Sequence, residues 1–342
     1  MSSPTTLPGP GRSGPVATQH KAWIALVVTG LIIGSAFIAV YVGLQRDPVP
    51  NDLPVAVVGQ ELSTAAGTGL GDSVAVTEVA SLKDGADLVR DGEAVAVIAA
   101  SSPTTLQFDY AGASGFSESG AARALVNGLA DKTGMTVEET DIVPLTKYDS
   151  RGLSAFYVVF GVTLSSFVLA QGLTGATSTV RLRHRLYAMG GFAVAIGLAA
   201  ATIAGPIYGS LTPSFPLLAL SLILLSAASA FSTKALGAWL GPAGIGIAVL
   251  ILTTVGNATS GATIGYDLLP GWAQAVSAEL PPGAAVRAIN DFGYFDGSRA
   301  VASLAVLVLW FVVGLGLILL RQKVASRRDS GANAASLEVP TA

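Results

Sequence analysis

The fold class this sequence predicts is an α-helical polytopic membrane protein of six transmembrane helices, with an α/β extracytoplasmic domain inserted between helices 1 and 2. Three observations predict it: six apolar runs, the placement of basic residues between those runs, and one long acidic segment with no run able to span a bilayer. The runs cover residues 23–44, 153–175, 187–209, 215–232, 236–256 and 300–320. Each lies near the roughly 20 residues a helix needs to cross the hydrocarbon.

Orientation follows from Lys and Arg. With the N-terminus placed inside, the cytoplasmic segments carry Arg12, Lys21, Arg181, Arg183, Arg185, Lys234, Arg321, Lys323, Arg327 and Arg328, opposed only by Asp329 and Glu338. The short outer connections carry Arg287 and Arg299 alone, so the positive-inside rule predicts a multi-pass protein of the cell membrane with both termini cytoplasmic. Six spans satisfy that parity. The first run exceeds a usual signal-peptide core and no A-x-A site follows it, so it is expected to be a retained anchor.

The organisation then reads as a disordered tail (1–22), span one (23–44), an extracytoplasmic α/β domain (45–152), spans two to five (153–256), an outer pair of short helices (257–299), span six (300–320) and a second disordered tail (321–342). The tails are expected to be disordered because they are rich in Pro, Ser, Thr, Gly and other small polar residues. Residues 45–152 hold 16 acidic against 7 basic residues, a net of −9, and the rest of the chain stands at +6. The carboxylates are scattered, which fits a solubility role beside an anionic surface better than a cation site.

The sequence has no cysteine, which removes disulfides and thiolate chemistry, so the inserted domain must stand on an apolar core. Pro54–Val58 and Ala94–Ala100 are near-continuous apolar runs, as in strands covered on both faces. Val74, Val76 and Val79, then Leu106, Phe108 and Tyr110, alternate as shorter strands, and Met135–Val143 forms another. One helix is expected from Ser81, with Asp84 completing a capping-box-like start, to Gly92. A second is expected from Ser117 through Ala121, Leu125 and Leu129 to a C-terminal cap at Gly134. The expectation is four or five strands with two helices.

All six runs are free of Asp, Glu, Lys, Arg and His, and an intramembrane charge costs at least ~2.5–3.5 kcal/mol and usually marks an ion path. A proton-coupled antiporter or ion pump is disfavoured on that ground. His20 and His184 fall at the margins and read as solvated. No G-x-x-x-x-G-K-[ST], H-E-x-x-H or G-x-S-x-G occurs, so no enzyme, catalytic residue, metal or cofactor is expected, and no nucleic acid as partner. Small residues line helix faces: Ala193, Gly197, Ala201 and Gly205; Gly30 and Gly34; Gly237 and Gly241. Such stripes serve either close packing within the chain or a homodimer seam.

After the fifth run comes Gly256-Asn257-Ala258-Thr259-Ser260-Gly261, followed by Leu268, Leu269, Trp272, Val276 and Leu280 on one face of a short helix with Trp at the interface. Pro281-Pro282-Gly283 breaks that helix, and a second is expected from Ala284 to about Asp291, carrying Arg287. Neither is long enough to cross, so the pair is expected to lie in the outer interface or dip into it as a re-entrant hairpin. It serves either as an outer gate, with Asn257, Ser260, Trp272, Pro281, Pro282, Gly283 and Arg287 as candidate residues, or as a plain connector.

This layout, with the Gly-Asn-x-x-Ser-Gly stretch and Leu280-Pro281-Pro282-Gly283-Ala284 before Arg287 and Tyr294-Phe295, resembles the type-2 ABC exporter permease superfamily. Within that superfamily it is most similar to the phage-infection-protein branch of Gram-positive bacteria. The resemblance implies a separate ATPase subunit docking on cytoplasmic loops, and permeases that pair as homodimers or with a related chain. It would make Arg181, Arg183 and Arg185 the docking loop. Two functional readings follow. One is an exporter permease moving a hydrophobic or amphipathic substrate, and the other is a non-transporting envelope scaffold whose outer domain binds a surface partner. Cytoplasmic parts too short for a signalling domain disfavour a receptor.

Overall fold

The computed structural model describes residues 19–337, a mostly helical chain with one small α/β sheet. Helix α1 (Gln19–Gln45) leads into the α/β domain, whose elements are β1 (Leu53–Val58), α2 (Gln60–Leu70), β2 (Val74–Val79), α3 (Leu82–Arg90), β3 (Ala96–Ser102), β4 (Thr105–Tyr110), α4 (Phe116–Thr133) and β5 (Thr136–Asp141). The sheet order is β2-β1-β3-β4-β5, parallel except for the β3–β4 hairpin. Alternation along β1 sends Leu53, Val55 and Val57 to a core shared with Phe108, Val126 and Leu129, while Ala56 faces α3 on the other side.

Ser81 caps α3 as its spacing predicts, its Oγ accepting from the Asp84 amide at 3.2 Å and donating to Asp84 Oδ2 at 2.7 Å. Gly134 closes α4 in the left-handed region at φ 69°. The domain has three helices rather than the two expected: α2 carries Thr64, Gly67, Thr68 and Gly69, poor helix formers that hid it.

The helical part continues as α5 (Ser154–Gly175), α6 (Leu182–Thr202, extended by a π-helical turn to Ile207), α7 (Phe215–Leu240), α8 (Pro242–Ala248), a π-helical stretch (Val249–Val255), α9 (Gly256–Ala258), α10 (Gly271–Glu279), α11 (Pro281–Tyr294) and α12 (Ala300–Leu337). Five segments are long and apolar enough to cross a membrane: Val27–Gln45, Ser154–Ser178, Leu182–Ile207, Phe215–Leu240 and Ala300–Arg327. Pro242–Ala258 is apolar but shorter.

Here the expected boundaries shift. The fourth run does not end at residue 232 but continues through Ser232, Thr233 and Lys234 to Leu240, so a buried lysine lies inside a spanning helix that was expected to be free of charge. Lys234 is tolerated because its Nζ donates to Leu173 O and Thr174 Oγ1, both at 3.3 Å. Those acceptors sit in the last turn of α5, where the helix dipole also favours a cation. The real break is Gly241-Pro242, where a φ of 62° at Gly241 suits glycine and proline starts the next helix.

Two thirds of the apolar window of α7 is buried (67%), against 6% for that of α1, so α7 is the bundle's axis and α1 stands at its edge. Leu218, Leu222 and Leu225 of α7 pack with Val159, Ala201, Ile289 and Leu307 from four neighbouring helices. The small-residue stripe of α6 serves this packing: a Cβ on Gly197 would lie 2.7 Å from the Ile223 amide nitrogen. By contrast, Gly30 and Gly34 face open space.

Two further expectations are corrected. Of the disordered tail expected at 321–342, residues 321–337 extend α12, as their Ala, Arg, Lys and Gln content permits, and 338–342 lie outside the described residues. Of the disordered tail expected at 1–22, residues 1–18 lie outside the described residues and 19–22 begin α1.

Candidate functional site

The expected outer gate falls partly together. The π-helical stretch breaks the i→i−4 ladder before α9. Asn257 Nδ2 then donates to the Leu252 and Thr253 carbonyls at 3.0 and 3.3 Å. Asn257 is fully buried with its Oδ1 unpartnered, and Ser260 Oγ donates to the Asn257 carbonyl at 2.8 Å. Gly256 lets the chain approach α11: a Cβ there would sit 3.0 Å from Pro282 Cγ. The Gly-Asn stretch and the Pro-Pro-Gly break, separate along the chain, therefore touch.

Pro281 and Pro282 do not merely break the preceding helix. They form the first turn of α11, where a missing N–H costs nothing. Helix α11 is packed into the helical part of the chain. Pro281 through Val286, with Ala288 and Ile289, are buried against α5, α7 and α12. Gly283 packs on Ser277. Arg287 staples the two short helices by donating to Ser277 O (3.1 Å), Ser277 Oγ (3.0 Å) and Ala278 O (3.0 Å) while its guanidinium lies over Tyr266. Trp272 stands apart, 57% exposed on the outside of α10.

Between this assembly and the α/β domain lies a cavity of 490 Å³. Ser260 and Arg287 line it, joined by Glu118, Asp267, Asp291 and Arg299, which the sequence did not single out. Val286, Ala302 and Val306 supply an apolar wall. Glu118 Oε1 accepts from the Asp267 amide at 2.9 Å, and Gly265 at φ 87° leaves the room for that carboxylate, since any Cβ would strike it. Burial pushes the Glu118 carboxyl well above its usual range, and the charge of Asp267 pushes it further. Asp267 is itself raised by burial, with Arg299 pulling the other way.

Asp291, almost fully buried, accepts from the Ala300 amide at 2.7 Å, capping α12, and pairs with Arg299 at 3.3 Å. Arg299 also donates to the Gly92 carbonyl, and Gly92 and Phe295 are in close contact. Asn51 donates to the Asp267 carbonyl at 2.9 Å and Thr146 to the Gly209 carbonyl at 3.1 Å. The domain is thus bolted to the bundle around the cavity rim.

At the far end, the expected docking loop does not form a row. Arg181 and Arg183 are exposed, but Arg185 is buried, donating to Thr177 Oγ1 at 2.8 Å. His184 is exposed.

No family model, no curated protein and no solved structure matches the chain. The site must therefore be read from its own geometry.

Proposed function

We propose that the chain is the membrane permease subunit of an ABC-type exporter, energised by a separate ATPase, which moves an amphipathic substrate outward and releases it through the junction cavity. In this reading six crossings, counting Pro242–Ala258, place the α/β domain outside a bacterial cell membrane and both termini inside. The observation that carries the reading is the two-sided lining of the cavity. Arg287, Arg299, Glu118 and Asp267 line it together with Val286, Ala302 and Val306, the mixture that a molecule with a polar head and an apolar body requires.

Narrowing the cavity tests this. Ala302→Trp should abolish efflux of dye-like amphiphiles from cells while leaving membrane insertion and co-purification of a nucleotide-hydrolysing subunit intact. Full efflux in that variant would remove the cavity from the path.

One observation favours the scaffold reading. Burial of Arg185 leaves Arg181 and Arg183 as the exposed arginines of the expected docking loop, a small platform for an ATPase. Cross-linking from position 183 that captures no ATPase, while the chain co-purifies with an envelope component, would favour the scaffold.

A further inference from the structure

The end of the bundle away from the α/β domain holds a second cavity, of 560 Å³, between the C-terminal ends of α5 and α7, the start of α6 and the middle of α12. Arg181, Arg185, Lys234 and Arg321 line it, and no carboxylate does. From residue 153 to 327 the acids are Asp267, Glu279, Asp291 and Asp296, none of them on α5, α6, α7 or α12, and the next along the chain is Asp329, on α12 beyond Arg321. None of the four cations makes an ion pair among the described residues.

Their present partners are neutral. Lys234 spends its bonds on the Leu173 carbonyl and the Thr174 hydroxyl, and also feels the like charge of Arg185. Arg321 Nε donates to the Ala238 carbonyl at 3.2 Å. Arg185 is only 7% exposed, and its Nε has no hydrogen-bond partner. The C-termini of α5 and α7 each contribute about −0.5 of an elementary charge, and the N-terminus of α6 about +0.5. Arg185 and Lys234, both buried, and the partly buried Arg321 therefore remain largely uncompensated, an arrangement that is costly unless an anion enters.

From this cluster we infer that the cavity binds a phosphate-bearing anion, held by Arg185, Lys234 and Arg321. Leu182, Ile318 and Ala325 line it beside the cations, so a lipid headgroup can enter with its chains alongside α6 and α12. Basic pockets between spanning helices recognise acidic lipid headgroups by this chemistry. The inference does not depend on transport.

The full chain is purified in a neutral detergent, and its thermal unfolding is followed on adding phosphatidylglycerol, phosphatidylcholine or inorganic phosphate. Phosphatidylglycerol should raise Tm and phosphatidylcholine should not. Protection by inorganic phosphate at millimolar concentration, competing with the lipid, would identify a soluble phosphate compound as the source of the same chemistry. Arg321→Gln, at the mouth and least able to harm folding, and Arg185→Gln should each weaken apparent lipid affinity about fivefold, the equivalent of ~1 kcal/mol per basic residue. Lys323→Gln, exposed just beyond the cavity, should leave it unchanged. Absence of protection by either phosphate, or equal protection in Arg321→Gln and the unaltered chain, would overturn the inference.

Discussion

The two ends of the helical bundle handle charge in opposite ways. Beside the α/β domain the buried ionisable groups meet one another: Asp291 pairs with Arg299 and caps α12, and Glu118 shares its surroundings with Asp267. At the other end Arg185 and Lys234 are buried against hydroxyls and carbonyls only. The first end is self-contained, because the inserted domain brings acids to it. The second has no domain to supply them and leaves its cations with neutral partners.

The largest effect that would sharpen this contrast comes from cutting one acid at the self-contained end. Asp291→Ala removes the cap of α12 and strands Arg299, and should cost about 2–3 kcal/mol in detergent unfolding. Lys234→Met, measured in the same detergent without acidic lipid, should be neutral or slightly stabilising, since a charge without a counter-ion is replaced by a packing side chain. Equal losses in both variants would break the comparison.

Next, at no more than about 1.4 kcal/mol over any one pH unit, comes a pH dependence confined to the junction. Glu118 is raised from an ordinary 4.5 to about 8, so the folded state holds a proton that the unfolded chain releases in that window. Stability is therefore fully present below the lower value and is lost as pH rises through the window, by at most about 1.4 kcal/mol per pH unit. Glu118→Gln, neutral at every pH and still able to accept from the Asp267 amide, should reduce that slope and leave the smaller share of Asp267, itself raised by burial. A slope unchanged in Glu118→Gln would place the proton elsewhere.

The smallest effect belongs to an ordinary surface pair. Arg123, hydrogen-bonded to Glu139 and to the Tyr110 hydroxyl, both at 2.6 Å, lies partly exposed on the domain far from either cluster. Arg123→Ala should cost only about 0.2–1 kcal/mol and alter neither the pH slope nor the lipid response.

What the sequence disclosed follows the range of the forces involved. Apolar runs revealed β1 and β3, and local capping chemistry revealed the start of α3, because strand burial and caps are written in neighbouring residues. Hydropathy revealed the long helices for the same reason. It misplaced the end of α7, because Lys234 is held by carbonyl and hydroxyl groups far back along the chain on α5. At the junction, Gly256, Asn257, Pro282 and Gly283 stood out as Pro, Gly and Asn punctuation. Glu118 and Asp267, 149 residues apart, carry no local mark, and only the docking of the domain joins them.

That the α/β domain and the cation cluster stand on opposite sides of a membrane is tested most directly by labelling. The chain has no cysteine, so Glu61→Cys on α2 and Arg327→Cys on α12, both at exposed positions, report one side each. A membrane-impermeant maleimide applied to intact cells should label the first fully and the second only after lysis. Labelling of both before lysis, or of Arg327→Cys alone, would contradict the arrangement.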